Sequence, residues 1–110
     1  MFETNSDVYS TLATAIQQRI PLWLTYDGRP RLVCPHSLGT NRKRQSNCLV
    51  YQIGGESSSG LGYPGSPGNW RCLRLAKITE VEFSPFSPWV TGGNHSCDNT
   101  CVVNVDYEAA

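Results

Sequence analysis

The apolar period of this chain changes once, at Pro21. Over residues 7–20, Tyr9, Leu12, Ala13, Ile16 and Ile20 recur at spacings of three and four, the single buried stripe of an amphipathic helix. Ser6 or Asp7 can cap its start, and Arg19 suits the negative end of the helix dipole. Proline lacks an N–H and disfavours a helical residue before it, so the helix stops there. Beyond Pro21 the apolar residues alternate or fall in short runs, which is the pattern of strands.

Five such runs precede residue 84. Residues 22–26 put Leu22, Leu24 and Tyr26 on one face, with Trp23 and Thr25 on the other. Asp27-Gly28-Arg29-Pro30 is a turn, and residues 31–34 form a second strand closed by Pro35. The polar stretch 36–46 reads as a loop. Residues 47–53 make a third strand. Residues 70–75 make a fourth, with Trp70, Cys72 and Arg74 on one side and Arg71, Leu73 and Leu75 on the other. Residues 77–83 make a fifth, entered through a bulge or turn near 76–78. Between the third and fourth, residues 54–69 are dense in Gly, Ser and Pro and lack apolar periodicity. Loops of that length inside compact domains are usually functional or disordered.

One helix followed by five short strands predicts a mainly β fold: a small, strongly bent sheet or barrel with the helix over one opening. A chain of 110 residues supports one such domain, expected over residues 1–83. Residues 84–110 are then a C-terminal extension, packed on the domain or trailing from it. It is extended and proline-marked at first, turn-like over 91–100, and ends in an edge strand over 102–107.

Ordinary apolar content and low charge mark a globular chain. No apolar run approaches the ~20 residues that span a bilayer. The first residues have neither the basic nor the apolar region of an export signal. Five cysteines, an odd number without such a signal, point to reduced thiols and a cytoplasmic protein. Cys34, Cys48 and Cys72, each within a strand, read as small buried residues.

The formal charge is zero but unevenly spread. Residues 28–77 carry eight cations and one anion, a net +7, against −2 before them and −5 after. A basic middle favours an anionic partner, and a neutral total argues against strong non-specific nucleic-acid binding. Arg31, Arg71 and Arg74 are the best-placed cations, since a strand fixes the origin of each side chain. A guanidinium grips phosphate or carboxylate in bidentate fashion. Tyr51 or Trp70 beside them could stack a base. Strand arginines can equally pair with Glu80 or Glu82, and the aromatics can fill the core. Arg42-Lys43-Arg44 is a solvated run that could touch phosphates.

Metal chemistry has one candidate, His95, Cys97 and Cys101, with Cys72 or His36 as a fourth zinc ligand. The same residues read equally as a surface histidine and plain thiols, or as a Cys97–Cys101 disulfide. The sequence contains no HExxH, GxSxG, P-loop or GxGxxG signature, so an enzyme is not expected.

The ordered set of segments resembles the WYL domain, including its short stand-alone bacterial forms. The matching pieces are Ile-Pro-Leu-Trp-Leu-Thr-Tyr, Arg-Leu-Val-Cys-Pro and Trp-Arg-Cys-Leu-Arg-Leu-Ala-Lys-Ile, together with Tyr-Gln-Ile-Gly-Gly ahead of the long loop. The Trp-Tyr-Leu triplet itself is replaced by Cys48-Leu49-Val50-Tyr51, and Lys77 stands where the family has an arginine. The resemblance implies an Sm-like, SH3-type five-stranded barrel acting as a regulatory ligand sensor for single-stranded nucleic acid or a nucleotide. It implies Arg31, Arg71 and Arg74 as ligand residues, with Tyr51, Gln52, His36 and Trp70 as neighbours. The winged-helix domain that commonly precedes a WYL domain is not in this chain, so a partner protein would supply DNA binding. An edge strand and a small core make a homo-oligomer plausible. The competing expectation is a small structural or protein-interaction domain whose tail holds zinc.

Overall fold

The computed structural model describes residues 4–56, 61–62, 67–91 and 101–109. A helix, α1 (Thr4–Gln18), leads into strands β1 (Leu22–Tyr26), β2 (Arg29–Thr40), β3 (Ser46–Gly55), β4 (Trp70–Arg74), β5 (Ile78–Phe83) and β6 (Asn104–Glu108). Short 3₁₀ turns at Pro67–Asn69 and Leu75–Lys77 precede β4 and β5. No helix among the described residues is long and apolar enough to cross a membrane.

The helix ends before Pro21 as expected. Its last turn closes when Arg19 takes the left-handed conformation (φ +55°) and Ile20 N–H donates to the Ala15 carbonyl at 3.0 Å. The apolar face of α1 supplies Val8, Leu12, Ala15 and Ile16 to the core. They pack with Leu22, Leu24, Val33, Leu38, Val50, Leu73 and Ile78 of the sheet. Fully burying each Leu or Ile side chain contributes about 1.5–3 kcal/mol, so this single cluster is the main source of stability.

The strands form one antiparallel sheet in the order β4-β3-β2-β1-β5. Asp27 and Gly28, both at positive φ, form the tight β1–β2 turn. β4 and β5 lie at opposite edges, yet only Leu75–Lys77 separates them. In a flat sheet those edges would stand about 19 Å apart. Four Cα steps reach at most about 15 Å, so the sheet must bend. No ladder joins β4 to β5 among the described residues, and the sheet is open along that seam.

Residues 36–46, expected as a loop, are mostly strand. β2 continues to Thr40, and only residues 41–45 turn the chain into β3. The reason lies in a bulge: Pro35 pairs with Val50 and Ser37 with Leu49, so His36 is an extra residue and the alternation breaks there. The lengthened β2 serves two partners on one edge. β1 pairs with its first half, and β6 pairs with Ser37–Thr40. Within residues 84–110, two described stretches reach the sheet, while Phe86 is fully exposed. Cys34 Sγ accepts the Val90 N–H at 3.4 Å, and β6 joins the ladder.

Candidate functional site

Arg31 and Arg71 come together; Arg74 does not join them. Arg31 lies opposite Leu24, and Arg71 lies opposite Val50. Directly opposed residues share a face, and Leu24 and Val50 are core residues, so both arginines enter from the inner side of the sheet. Arg74, three residues beyond Arg71, falls on the other face by the two-residue period.

Arg31 is 7% exposed. Its guanidinium lies 5.1 Å above the Tyr26 ring, a cation–π contact, and Nη1 donates a long 3.5 Å bond to Gln52 Oε1. Among the described residues its buried Nε has no partner, and no carboxylate pairs with it. Gln52 is itself fully buried and held in place, its Nε2 donating to the carbonyls of Gly54 (2.9 Å) and Glu56 (3.0 Å). Arg71 is half-buried, with Nη1 donating to the carbonyls of Gly68 (2.6 Å) and Trp70 (3.0 Å). Burial, and then the nearby positive charge of Arg31, hold the Arg71 guanidinium below its usual proton affinity. Two like charges drawn together away from water repel one another.

The aromatic candidates gather elsewhere. His36 packs edge-on to Trp70 (4.8 Å between ring centres) and tilted against Trp89 (4.9 Å), while Tyr51 meets Trp70 edge-on at 5.0 Å. His36 is buried, and its Nδ1 faces the Cys34 carbonyl at 2.8 Å, where it carries the proton. Tyr51 is fully buried and packs as a core residue. Tyr51, His36 and Trp70 therefore knit β2, β3 and β4 to the segment containing Trp89. A separate apolar pocket of 280 Å³ lies beside them, lined by residues that include Leu32, Tyr51, Ile53 and Pro88.

Arg74 belongs to the β2–β3 turn. Its Nη2 donates to Gln45 Oε1 at 3.0 Å, and its backbone N–H donates to Tyr26 Oη at 3.2 Å. With Asn41, Arg42, Lys43 and Gln45 it lines a groove of 310 Å³.

The cysteines depart from expectation. Cys72 is exposed rather than buried, and it forms a disulfide with Cys101, linking β4 to the entrance of β6. The expectation of reduced thiols throughout is corrected, as is that of a Cys97–Cys101 pair. A disulfide sulfur has no thiolate to give a metal, so neither Cys101 nor Cys72 can serve zinc in this state. His95 and Cys97 lie outside the described residues. Among the described residues no cluster of three or more His, Cys, Asp or Glu could hold a metal. Cys34 and Cys48 are free and buried, as the sequence suggested.

Sequence reasoning passed over three contributors: Tyr26, Gln45 and Trp89. Tyr26 was within reach, because the Asp27-Gly28 turn sets it opposite Arg29 and so on the same face as Arg31. No family model, curated protein or solved structure matches this chain.

Proposed function

We propose that the bent sheet is an SH3-type barrel and that the protein is a non-enzymatic module binding a phosphate-bearing ligand, such as a nucleotide, through Arg31 and Arg71. The observation that carries this reading is Arg31: a guanidinium with 7% exposure and no ion pair among the described residues, set beside a second guanidinium. An anion reaching both guanidinium groups would give Arg31 a counter-charge. Arg31 offers fixed direction, braced by Gln52 and Tyr26; half-buried Arg71 offers the way in.

The curvature forced by the three-residue link between β4 and β5 supports the barrel. The likeness to the WYL domain rests on the short motifs of this chain alone. Buried, protonated Cys34 and Cys48 are poor nucleophiles, which favours binding over catalysis.

Thermal melting with added phosphate at constant ionic strength tests the reading. Wild type should be stabilised in proportion to ligand occupancy, and Arg31→Met should lose that response. Equal responses in both proteins would refute the assignment.

A further inference from the structure

The apolar pocket of 280 Å³ lies across the sheet from the Arg31–Arg71 pair. Leu32 follows Arg31 and Tyr51 follows Val50, and successive strand residues alternate in face, so these two walls belong to the outer side. The lining runs from fully buried Tyr51 and Gln52 to Leu61, which is 37% exposed and marks the rim. Close-packed protein interiors leave few voids larger than a water molecule.

Both flanks of this recess are tied in place. On one, buried Asn69 clamps the long loop: its Oδ1 accepts the Gly62 N–H at 2.7 Å, and its Nδ2 donates to the Gly62 carbonyl at 3.4 Å. On the other, Cys34 Sγ donates to the Pro88 carbonyl at 3.9 Å and accepts the Val90 N–H at 3.4 Å. Neither flank can slide inward to fill the space without giving up these bonds.

The walls also select what fits. Leu32, Ile53, Leu61, Pro88 and Val90 are aliphatic, Tyr51 adds a ring, and no charged side chain is among the described lining residues. The two amides are already engaged by the protein. Asn69 is committed to Gly62, and Gln52 gives its Nε2 to the Gly54 and Glu56 carbonyls and its Oε1 to Arg31. A charged ligand would lose its hydration here without finding a partner, whereas an apolar one gains from the area it buries. An apolar cavity of about 150 Å³ takes one benzene ring, so 280 Å³ suits a molecule of about two fused rings.

We propose that this pocket binds a small, uncharged apolar molecule the size of two fused rings, held between the Leu61–Gly62 and Pro88–Val90 segments. Gln52 touches both the pocket and Arg31, but the site rests on its own walls and does not require the anion site proposed above.

The test titrates indole into the full chain and follows the methyl groups by carbon-13 NMR. Saturable shifts should appear at Leu32, Ile53, Leu61 and Val90 and be absent from Leu12 and Ile16 of α1. Val90→Phe and Leu61→Phe each place extra side-chain volume in the space and should weaken binding by about ten-fold or more. Leu61 stands at the rim, so Leu61→Phe keeps the fold, and unchanged Leu12 and Ile16 signals verify this in both variants. Indole-3-carboxylate, the same rings with a negative charge, should bind about ten-fold more weakly or worse. Arg31→Met should bind indole as wild type does. Absence of saturable shifts in wild type, or undiminished binding in the folded Phe variants, overturns the site. Equal or tighter binding of the carboxylate overturns the uncharged class. Loss of indole binding in Arg31→Met would place the indole at the arginine pair and overturn a separate pocket. Loss of the phosphate response in wild type, with indole binding intact, would count against Arg31 and Arg71 and leave this pocket standing.

Discussion

Arg31 lies close enough to Arg71 for its charge to help depress the proton affinity of the second guanidinium. Arg31 also has a buried Nε without a partner among the described residues. Replacing it should therefore separate two roles. Arg31→Met keeps the packing stem over Tyr26 and removes the charge, so stability in the absence of ligand should change by no more than about 1 kcal/mol, or rise. Chemical denaturation in phosphate-free buffer measures this. A loss of several kcal/mol would make Arg31 a structural residue.

The Cys72–Cys101 bond is the covalent tie that seats the C-terminal strand. Beside it, Asn47 Nδ2 donates to the Cys101 carbonyl at 2.9 Å, and Val102 is buried. All of β6 except Tyr107 is exposed, so its docking has little apolar area behind it. Reduction, or Cys72→Ser with Cys101→Ser, should cost about 3 kcal/mol, as expected for a closed loop of this size. Hydrogen exchange should show the amides of β6 opening first, well before those of β3.

Gly39 marks where β6 lies closest to β2. A Cβ added there would strike the Asn104 carbonyl oxygen and come within 2.9 Å of Val102 Cγ1. The oxygen is backbone and cannot rotate away. Gly39→Ala should destabilise the protein by about 1–3 kcal/mol and loosen β6. Melting of this variant in the Cys72→Ser/Cys101→Ser background checks the link: once β6 is already loose, the added cost should shrink.

The free thiols give a pH signature. Burial pushes the Cys34 thiol up to about 11, only partly opposed by the Val90 N–H, and burial pushes Cys48 up as well. A thiol whose pKa is raised on folding contributes stability that is fully present below its unfolded value, near 9, and lost as pH climbs through the folded one. Stability should fall between about pH 9 and 11, and Cys34→Ala should flatten part of that fall. At pH 8 neither thiol should react with iodoacetamide until the protein unfolds.

These sites show which signals sequence carries. The helix and the Asp27-Gly28 turn were legible because both depend on neighbours in the chain. The separation of Arg74 from Arg71 was legible too, since an odd spacing in a strand means opposite faces. The far half of β2 was not, because the bulge at His36 removes the alternation by which a strand is recognised. The disulfide was hidden for a different reason. Cys72 and Cys101 meet only because β6 returns to pair with β2, and cysteine spacing holds no record of that return. The burial of Tyr51, which turns a candidate stacking ring into a core residue, likewise depends on the Trp70 and His36 rings packed around it.

The central claim is that Arg31 and Arg71 hold an anion between them. Its most direct measurement is a calorimetric titration of a nucleoside monophosphate into wild type, Arg31→Met and Arg71→Met. The account predicts one site in wild type and a loss of about ten-fold or more in each variant, the size expected when a charge-assisted phosphate contact is removed. Wild-type affinity in either variant, or no heat of binding in any of the three, would contradict it.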